Sequence, residues 1–158
     1  MSASPALLLL ALQQIVVPLG KPPRHPEPVR APIATYGPLW AQTCAGSIDS
    51  SSWTKPAPAV RIHANVYMVG TCGISSILIT SPGGNILIDG GPGRAADLIA
   101  DNIRSLGLRL RDVRWILHSH EHFDHVGGIA RLQQLTGAAV IASAATARAM
   151  ATGSNDPA

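Results

Sequence analysis

The chain has 158 residues, a length that suits one domain, and its 46% hydrophobic and 13% charged composition is typical of a globular protein. Only 4% of the residues are aromatic, so the core must rest on Leu, Ile, Val and Ala. The net charge of +3 does not indicate a nucleic-acid partner. The basic excess falls at or before Arg61, and no Lys/Arg cluster with interleaved aromatic residues occurs.

A mostly apolar segment lies near the start of the chain, over residues 6–19. It is too short for a stable membrane span, and Gln13 and Gln14 interrupt it. It resembles the apolar region of a secretory signal, although the basic residues that usually precede such a region are absent. A misassigned start codon would give the same pattern. We expect an exported protein, periplasmic or secreted, with a cytoplasmic location as the alternative.

The stretch from Pro18 to Pro58 is rich in proline and serine. Ten of the thirteen prolines occur by Pro58. Proline fixes φ and donates no backbone hydrogen bond, so the stretch is predicted to be an extended or irregular arm. Trp40 and Trp53 suggest that the end of the arm is packed. Residues 1–57 are therefore assigned to an apolar leader and an arm, and residues 58–158 to the folded domain.

Short strands are predicted after Pro58, because β-branched runs alternate with turn residues. The strands cover residues 60–62, 66–69, 75–80 and 85–89. Ala95, Ile99, Ile103 and Leu106 then recur at helical spacing. A buried strand is predicted at 113–117, a helix at 128–136, a strand at 138–142 and a last helix at 144–150. This order predicts a layered α/β domain.

Candidate metal ligands are concentrated between the predicted strand 113–117 and the following helix. Four of the six histidines lie within residues 118–125, in the run HSHEHFDHVGG. Zinc accepts imidazole nitrogen and carboxylate oxygen, and open α/β sheets place their sites at the carboxyl ends of strands. The pattern H-x-H-x-D-H therefore predicts a metal site. The alternative is a histidine-rich surface loop that binds no metal.

This run resembles the metal-binding signature of the metallo-β-lactamase superfamily. The segment GTCGISSILITSPGGNILIDGG, residues 70–91, is similar to the strand-turn-strand of the third subclass. The helix ADLIADNIRSLG and the strand VRWILHSH are similar as well, so the resemblance covers about residues 60–150. It implies the αββα sandwich of that family, truncated in this chain to its amino-terminal half.

The resemblance also implies a ligand set. His120 and His122 would be ligands of a first zinc ion, and Asp124 and His125 ligands of a second. A histidine directly after the aspartate favours the third subclass over those that use a cysteine ligand.

Other residues near the run receive different roles. Asp89 resembles the family's aspartate that braces the ligand loop by hydrogen bonds, and a strand-end turn aspartate is the alternative. Trp53 lies where relatives often have a tryptophan at the border of the substrate groove, and the alternative is an anchor for the arm. His118 is interpreted as a packed or bystander histidine, and Glu121 as solvated.

The function implied by the resemblance is hydrolysis of small-molecule β-lactam antibiotics, with a hydroxide shared by two zinc ions and positioned with help from Asp124. The complete enzyme is expected to be a monomer. Two alternatives stay open: a thioester or lactone hydrolase of the same fold, and a non-catalytic, vestigial metal-binding fragment. The family takes one further histidine for each zinc from the later half of its fold. No histidine or cysteine follows His125, so this chain alone is predicted to be inactive.

The two cysteines, Cys44 and Cys72, lack CxxC spacing. The residues alone leave open two unrelated buried thiols or, in an exported protein, one disulfide. Relatives with a cysteine in the same Gly-Thr-Cys-Gly setting pair it with one in the arm. The resemblance therefore implies a Cys44–Cys72 disulfide.

Overall fold

A six-stranded sheet organises the computed structural model, which describes residues 36–47 and 49–152. Each strand lies beside the one that precedes it in the chain. The first four strands form an antiparallel meander, and the last two join it in parallel. The strands are β1 (Val60–His63), β2 (Val66–Met68), β3 (Ile77–Ile79), β4 (Asn85–Ile88), β5 (Val113–Leu117) and β6 (Ala139–Val140).

Helices supply the crossovers that the parallel strands require, because a parallel pair cannot be joined by a tight turn. The helices are α1 (Tyr36–Cys44), α2 (Ala96–Ser105), the single turn α3 (Phe123–Val126), α4 (Ile129–Thr136) and α5 (Ala144–Thr152). Helix α2 connects β4 to β5, and α3 and α4 connect β5 to β6. The left-handed Gly137 terminates α4. The layered α/β order predicted from the sequence is confirmed.

The hydrophobic core lies between one face of the sheet and helices α2 and α4. The residues at helical spacing in the sequence form the inward face of α2, since Ala95, Ile99 and Ile103 are fully buried. Aliphatic side chains make up nearly all of this core, with Tyr67 as its aromatic member. The sheet contributes Leu78, Leu87, Val113 and Ile116, and α4 contributes Ile129 and Leu132.

The second face of the sheet is apolar but only half-buried. Ile77 and Ile79 on β3 face Ile88 and Ile86 on β4 across the strands, and all four are intermediate in exposure. On β5, next to Ile86, Trp115 is 38% exposed.

The arm is more regular than its proline content indicated. The prediction of an extended or irregular arm is wrong at α1 and at the 3-10 helix Ser50–Thr54. Pro38 lies in the first turn of α1, where a missing N–H breaks no helical hydrogen bond. Residues 39–55 contain no further proline, so nothing in that interval prevents helix formation. The structure also adds α3, and it makes β3 and β6 shorter than predicted.

The apolar leader at residues 6–19, on which the expectation of export rests, lies outside the described residues. Within the described ranges, no helix is long and apolar enough to cross a membrane.

A disulfide joins the arm to the sheet. Cys44 at the end of α1 is bonded to Cys72 in the turn after β2, with an S–S distance of 2.04 Å and Cα atoms 5.2 Å apart. Backbone hydrogen bonds reinforce the attachment: the Cys72 amide donates to the Lys55 carbonyl and the Gly73 amide to the Ser52 carbonyl, each at 3.1 Å. The end of the arm is thereby fixed against the β2–β3 connection.

Removing the disulfide should destabilise the chain by about 3–4 kcal/mol, because the bond closes a segment of 28 residues and limits the entropy of the unfolded chain. The measurement is urea unfolding, followed by circular dichroism, of the Cys44→Ala/Cys72→Ala variant against the oxidised chain. The reduced parent chain serves as the control and should lose a similar amount. An unchanged midpoint in the variant would contradict the expectation.

A half-buried amide also ties the arm to the sheet. The Nδ2 atom of Asn102 on α2 donates to the carbonyl oxygens of Ala57, Val69 and Gly70, at 2.9–3.1 Å. Asn65 offers a contrast, because its Nδ2 meets the Thr80 carbonyl at an exposed position.

Asn102→Ala should therefore lower the free energy of unfolding by about 1–3 kcal/mol, the usual cost of leaving buried carbonyls without a donor. Asn65→Ala is the matched control and should change it by no more than about 0.5 kcal/mol. Urea titration of both variants decides the point. Equal losses of unfolding free energy would show that the Asn102 hydrogen bonds stabilise the fold no more than the exposed hydrogen bond of Asn65.

Candidate metal centre

The site forms where the parallel strands β4 and β5 end together. The backbone N–H of Asp89, just after β4, donates to the carbonyl of Leu117, the last residue of β5, at 2.9 Å. The chain following each strand is therefore delivered to one edge of the sheet, the position at which open α/β sheets place their sites. Asp89 and the run of residues 118–125 meet at this edge.

Close backbone packing holds the loop of residues 118–125, which carries the candidate ligands and is called the ligand loop. The Gly90 amide donates to the His125 carbonyl at 2.7 Å, and the Gly128 amide donates to the Gly91 carbonyl at 2.8 Å. A Cβ atom at Gly128 would collide with the carbonyl oxygen of Gly90. Glycine at this position allows the start of α4 to approach β4, and with it the loop that carries the histidines.

Three potential ligands converge in this loop. His120, Asp124 and His125 each offer one nitrogen or carboxylate oxygen, and these atoms lie within 4.8 Å of one another. The His120 and His125 ring centroids are 3.9 Å apart. His122 lies beside this group, its ring centroid 4.8 Å from that of His120. The structure therefore collects three of the four predicted ligands in one cluster and places the fourth at its border.

Asp89 contacts the ligand loop through both carboxylate oxygens. Its Oδ1 accepts from the Ser119 backbone N–H at 2.6 Å, and its Oδ2 lies 2.7 Å from Ser119 Oγ and 2.9 Å from His125 Nδ1. The residue is 6% exposed and has a left-handed φ of +65°. A buried carboxylate with several donors is the outer support that metal-ligating histidines usually have. A surface turn aspartate would lack these contacts.

The donor chemistry of the cluster fits a metal ion. Two imidazoles and a carboxylate are a set that zinc accepts. His125 Nε2 and Asp124 Oδ2 are 3.4 Å apart, and both atoms are acceptors when the imidazole is neutral with its proton on Nδ1. A cation between them would satisfy both acceptors.

An open cleft of about 1010 Å³ borders the cluster. Trp53 and Phe123 form part of its wall, with ring centroids 5.6 Å apart, and Phe123 is 65% exposed. The Trp53 carbonyl accepts from the Thr71 hydroxyl at 2.8 Å, so the tryptophan also belongs to the anchored arm. Both interpretations of Trp53, groove border and anchor, are thus compatible with its position.

Trp53 is carried by the 3-10 helix that Asp49 caps. The Asp49 carboxylate accepts from the hydroxyl and the backbone N–H of Ser51, at 2.5 and 3.0 Å. These hydrogen bonds, the hydroxyl first, lower the pKa of Asp49. The cap therefore stays ionised at neutral pH.

His118 and Glu121 lie apart from the ligand cluster. His118 Nδ1 is buried and has no hydrogen-bond partner among the described residues. Glu121 is exposed at the rim of the cleft.

Two residues of the site were not identified from the sequence. Ser119 lies between the candidate ligand histidines and Asp89, and Phe123 forms the aromatic pair with Trp53. A hydroxyl directly before the first ligand was a usable signal for Ser119. The contact of Phe123 with Trp53 depends on the tertiary approach of the arm, which sequence spacing does not reveal.

Comparison with known proteins identifies the family. Residues 69–158, more than half of the chain, match the metallo-beta-lactamase superfamily. The chain belongs to the metallo-β-lactamase superfamily.

Solved structures agree with this assignment. The metallo-β-lactamase MIM-1 from Novosphingobium pentaromativorans is 50% identical with a TM-score of 0.70, and the match covers 72% of this chain and 42% of that one. MEM-A1, a subclass B3 metallo-β-lactamase from a soil metagenome library, is 49% identical with a TM-score of 0.60, over 61% of this chain and 37% of that one. The predicted similarity to the third subclass is confirmed.

Curated relatives of this superfamily member are more distant. A probable metallo-hydrolase of Mycobacterium tuberculosis, Rv2300c, is 30% identical over 69% of this chain and 44% of its own length. The N-acyl homoserine lactonase AttM of Rhizobium radiobacter is 33% identical over 37% of this chain and 31% of its own length. The chain thus spans less than half the length of these relatives.

Asp124→Ala should weaken metal binding at the cluster by more than about tenfold, because it removes a charged candidate ligand and not merely an outer support. His118→Ala should leave the affinity unchanged. Cobalt(II) titration of the 158-residue chain, followed by absorption, measures both. If the two substitutions were equally damaging, the assigned ligand register would be wrong by one strand step.

Proposed function

We propose that this chain supplies the amino-terminal half of a di-zinc hydrolase that opens the ring of β-lactam antibiotics. The convergence of His120, Asp124 and His125 at the end of β5 carries the proposal. Solved structures named metallo-β-lactamases support the substrate class, since they are 45–50% identical to this chain and the matches cover 61–76% of it.

His120 and His122 would hold a first zinc ion, and Asp124 and His125 a second. The adjacent His120 and His122 rings support the first pair, and the 3.4 Å approach of Asp124 to His125 supports the second. Two bound zinc ions would supply the positive charge that activates water at neutral pH and polarises the lactam carbonyl.

The side chains of this chain orient the reactants. The Asp124 carboxylate can accept a hydrogen bond from the attacking water and so direct it. Asp89, through its bonds to Ser119 and His125, keeps the ligand loop in one conformation. Trp53 and Phe123 offer an apolar wall of the cleft against which a ring-shaped substrate can pack.

A second candidate is hydrolysis of a lactone or thioester. The lactonase AttM among the relatives favours it, since a lactone carbonyl can be attacked by the same kind of activated water. Its match covers 37% of this chain, whereas the solved metallo-β-lactamases cover 61–76% at higher identity, so the β-lactam is preferred.

We further propose that the 158-residue chain is inactive by itself. It contains no histidine or cysteine after His125, so each ion would have two protein ligands where catalytic zinc usually has three. Its zinc binding should be weak, and its half-buried isoleucine face should favour aggregation. In its strongest form, this proposal describes the chain as a non-catalytic metal-binding fragment.

Export and oligomeric state complete the proposal. The Cys44–Cys72 disulfide supports a periplasmic or secreted location, because disulfides persist in oxidising compartments. The complete enzyme would act as a monomer on a small-molecule substrate.

The deciding experiment compares this chain with a chimera that continues it with the carboxyl-terminal part of MIM-1 beyond the matched region. With zinc added, the chimera should hydrolyse a chromogenic cephalosporin faster than a lactone or thioester, and the 158-residue chain should hydrolyse none of them. Asp124→Ala should abolish turnover by the chimera, and His118→Ala should preserve it.

Three results would alter the proposal. Zinc-dependent turnover by the chain alone would refute the account of missing ligands. Preference of the chimera for lactone or thioester would favour the second candidate. A folded chimera with fewer than about one bound zinc per chain would refute the metal assignment.

A further inference from the structure

Ser119 has a position that the proposed mechanism leaves unexplained. Its hydroxyl lies 2.7 Å from Asp89 Oδ2, 3.1 Å from His120 Nδ1 and 3.3 Å from His125 Nδ1. Its backbone N–H donates to the other Asp89 oxygen at 2.6 Å. One small side chain thus contacts two proposed ligands and the carboxylate that braces them.

The available donors and acceptors fix the positions of the hydrogens on Ser119, His120 and His125. An ionised carboxylate only accepts, so the single hydroxyl hydrogen of Ser119 is donated to Asp89 Oδ2. His125 Nδ1, 2.9 Å from the same oxygen, must donate its own hydrogen to it. The Ser119 oxygen is then left as an acceptor, and His120 Nδ1–H donates to it.

The consequence is one tautomer for both rings. With the hydrogen on Nδ1, each neutral imidazole keeps its lone pair on Nε2, the atom free to bind a metal. The position of His125 agrees, because its Nε2 faces Asp124 Oδ2 at 3.4 Å, inside the ligand cluster. Asp89 fixes His125 directly but reaches His120 only through Ser119.

We propose that Ser119 is a positioning residue that relays the Asp89 carboxylate to His120 and holds that ring as its Nδ1–H tautomer. The inference rests on the proposed function in so far as it takes His120 and His125 as ligands. The Nδ1–H tautomer of His120 should therefore depend on Ser119, whereas the tautomers of both rings should depend on Asp89.

The first test reads the tautomers without metal or activity. Long-range ¹H–¹⁵N spectra of the ¹⁵N-histidine-labelled 158-residue chain at about pH 8.5, where histidine is ordinarily neutral, should show Nδ1–H at His120 and His125. Ser119→Ala should remove this signature from His120 and leave it at His125. Ser119→Thr, which keeps the hydroxyl, should restore it.

The second test measures cobalt(II) or zinc(II) affinity of the same chains. Ser119→Ala should lower the affinity about 10–100-fold, the usual effect of losing an outer-shell partner, and Ser119→Thr should recover most of it. Ser105→Ala is the matched control, because the Ser105 hydroxyl bonds to a helix carbonyl remote from the site, and it should change nothing.

The outcomes separate the two proposals. A parent chain that binds no metal even weakly counts against the metal assignment, and the tautomer spectra still decide the role of Ser119. A parent chain that binds metal while Ser119→Ala changes neither affinity nor tautomer overturns the relay alone. If Ser119→Ala fails to fold, an Nε2–H tautomer at His120 in the parent chain overturns it equally.

Discussion

The buried carboxylate of Asp89 is the contact on which the site depends. It lies where β4 ends beside β5, and it accepts hydrogen bonds from a loop that begins thirty residues later in the sequence. A buried carboxylate without donors would be costly, so the loop must follow the path that brings Ser119 and His125 to it. The same contacts that satisfy Asp89 therefore orient the proposed ligands.

A second set of contacts joins the arm to this centre. The Cys44–Cys72 bond, the amide of Asn102 and the Thr71 hydroxyl each attach the arm to the sheet at a different point. Together they place Trp53 against Phe123 at the cleft. An element that contains no proposed ligand thereby contributes to the surface that a substrate would meet.

The sheet has two unlike faces, and the difference bears on function. One face is buried by α2 and α4, and it alone forms the core of the described residues. The other carries isoleucines that are only half-buried. Relatives of this superfamily are more than twice as long as the matched region. The proposal that this chain is one half of a larger fold accounts for both the half-buried face and the small group of candidate ligands.

The sequence by itself determined the order of strands and helices, the helical spacing of the apolar residues in α2 and the residue types of the candidate ligands. These follow from hydrophobic periodicity, turn residues and the H-x-H-x-D-H spacing, which are local properties. It predicted the arm poorly, since proline content is an average and only Pro38, at a helix start, bears on α1. Tertiary structure decided what depends on distant segments meeting: the Ser119–Asp89 contact, the Trp53–Phe123 pair and the position of His122 outside the main ligand group. The Ser119–Asp89 contact forms only when the ends of β4 and β5 meet at one edge of the sheet, and the Trp53–Phe123 pair forms only when the arm packs beside that edge. Local sequence patterns report neither approach.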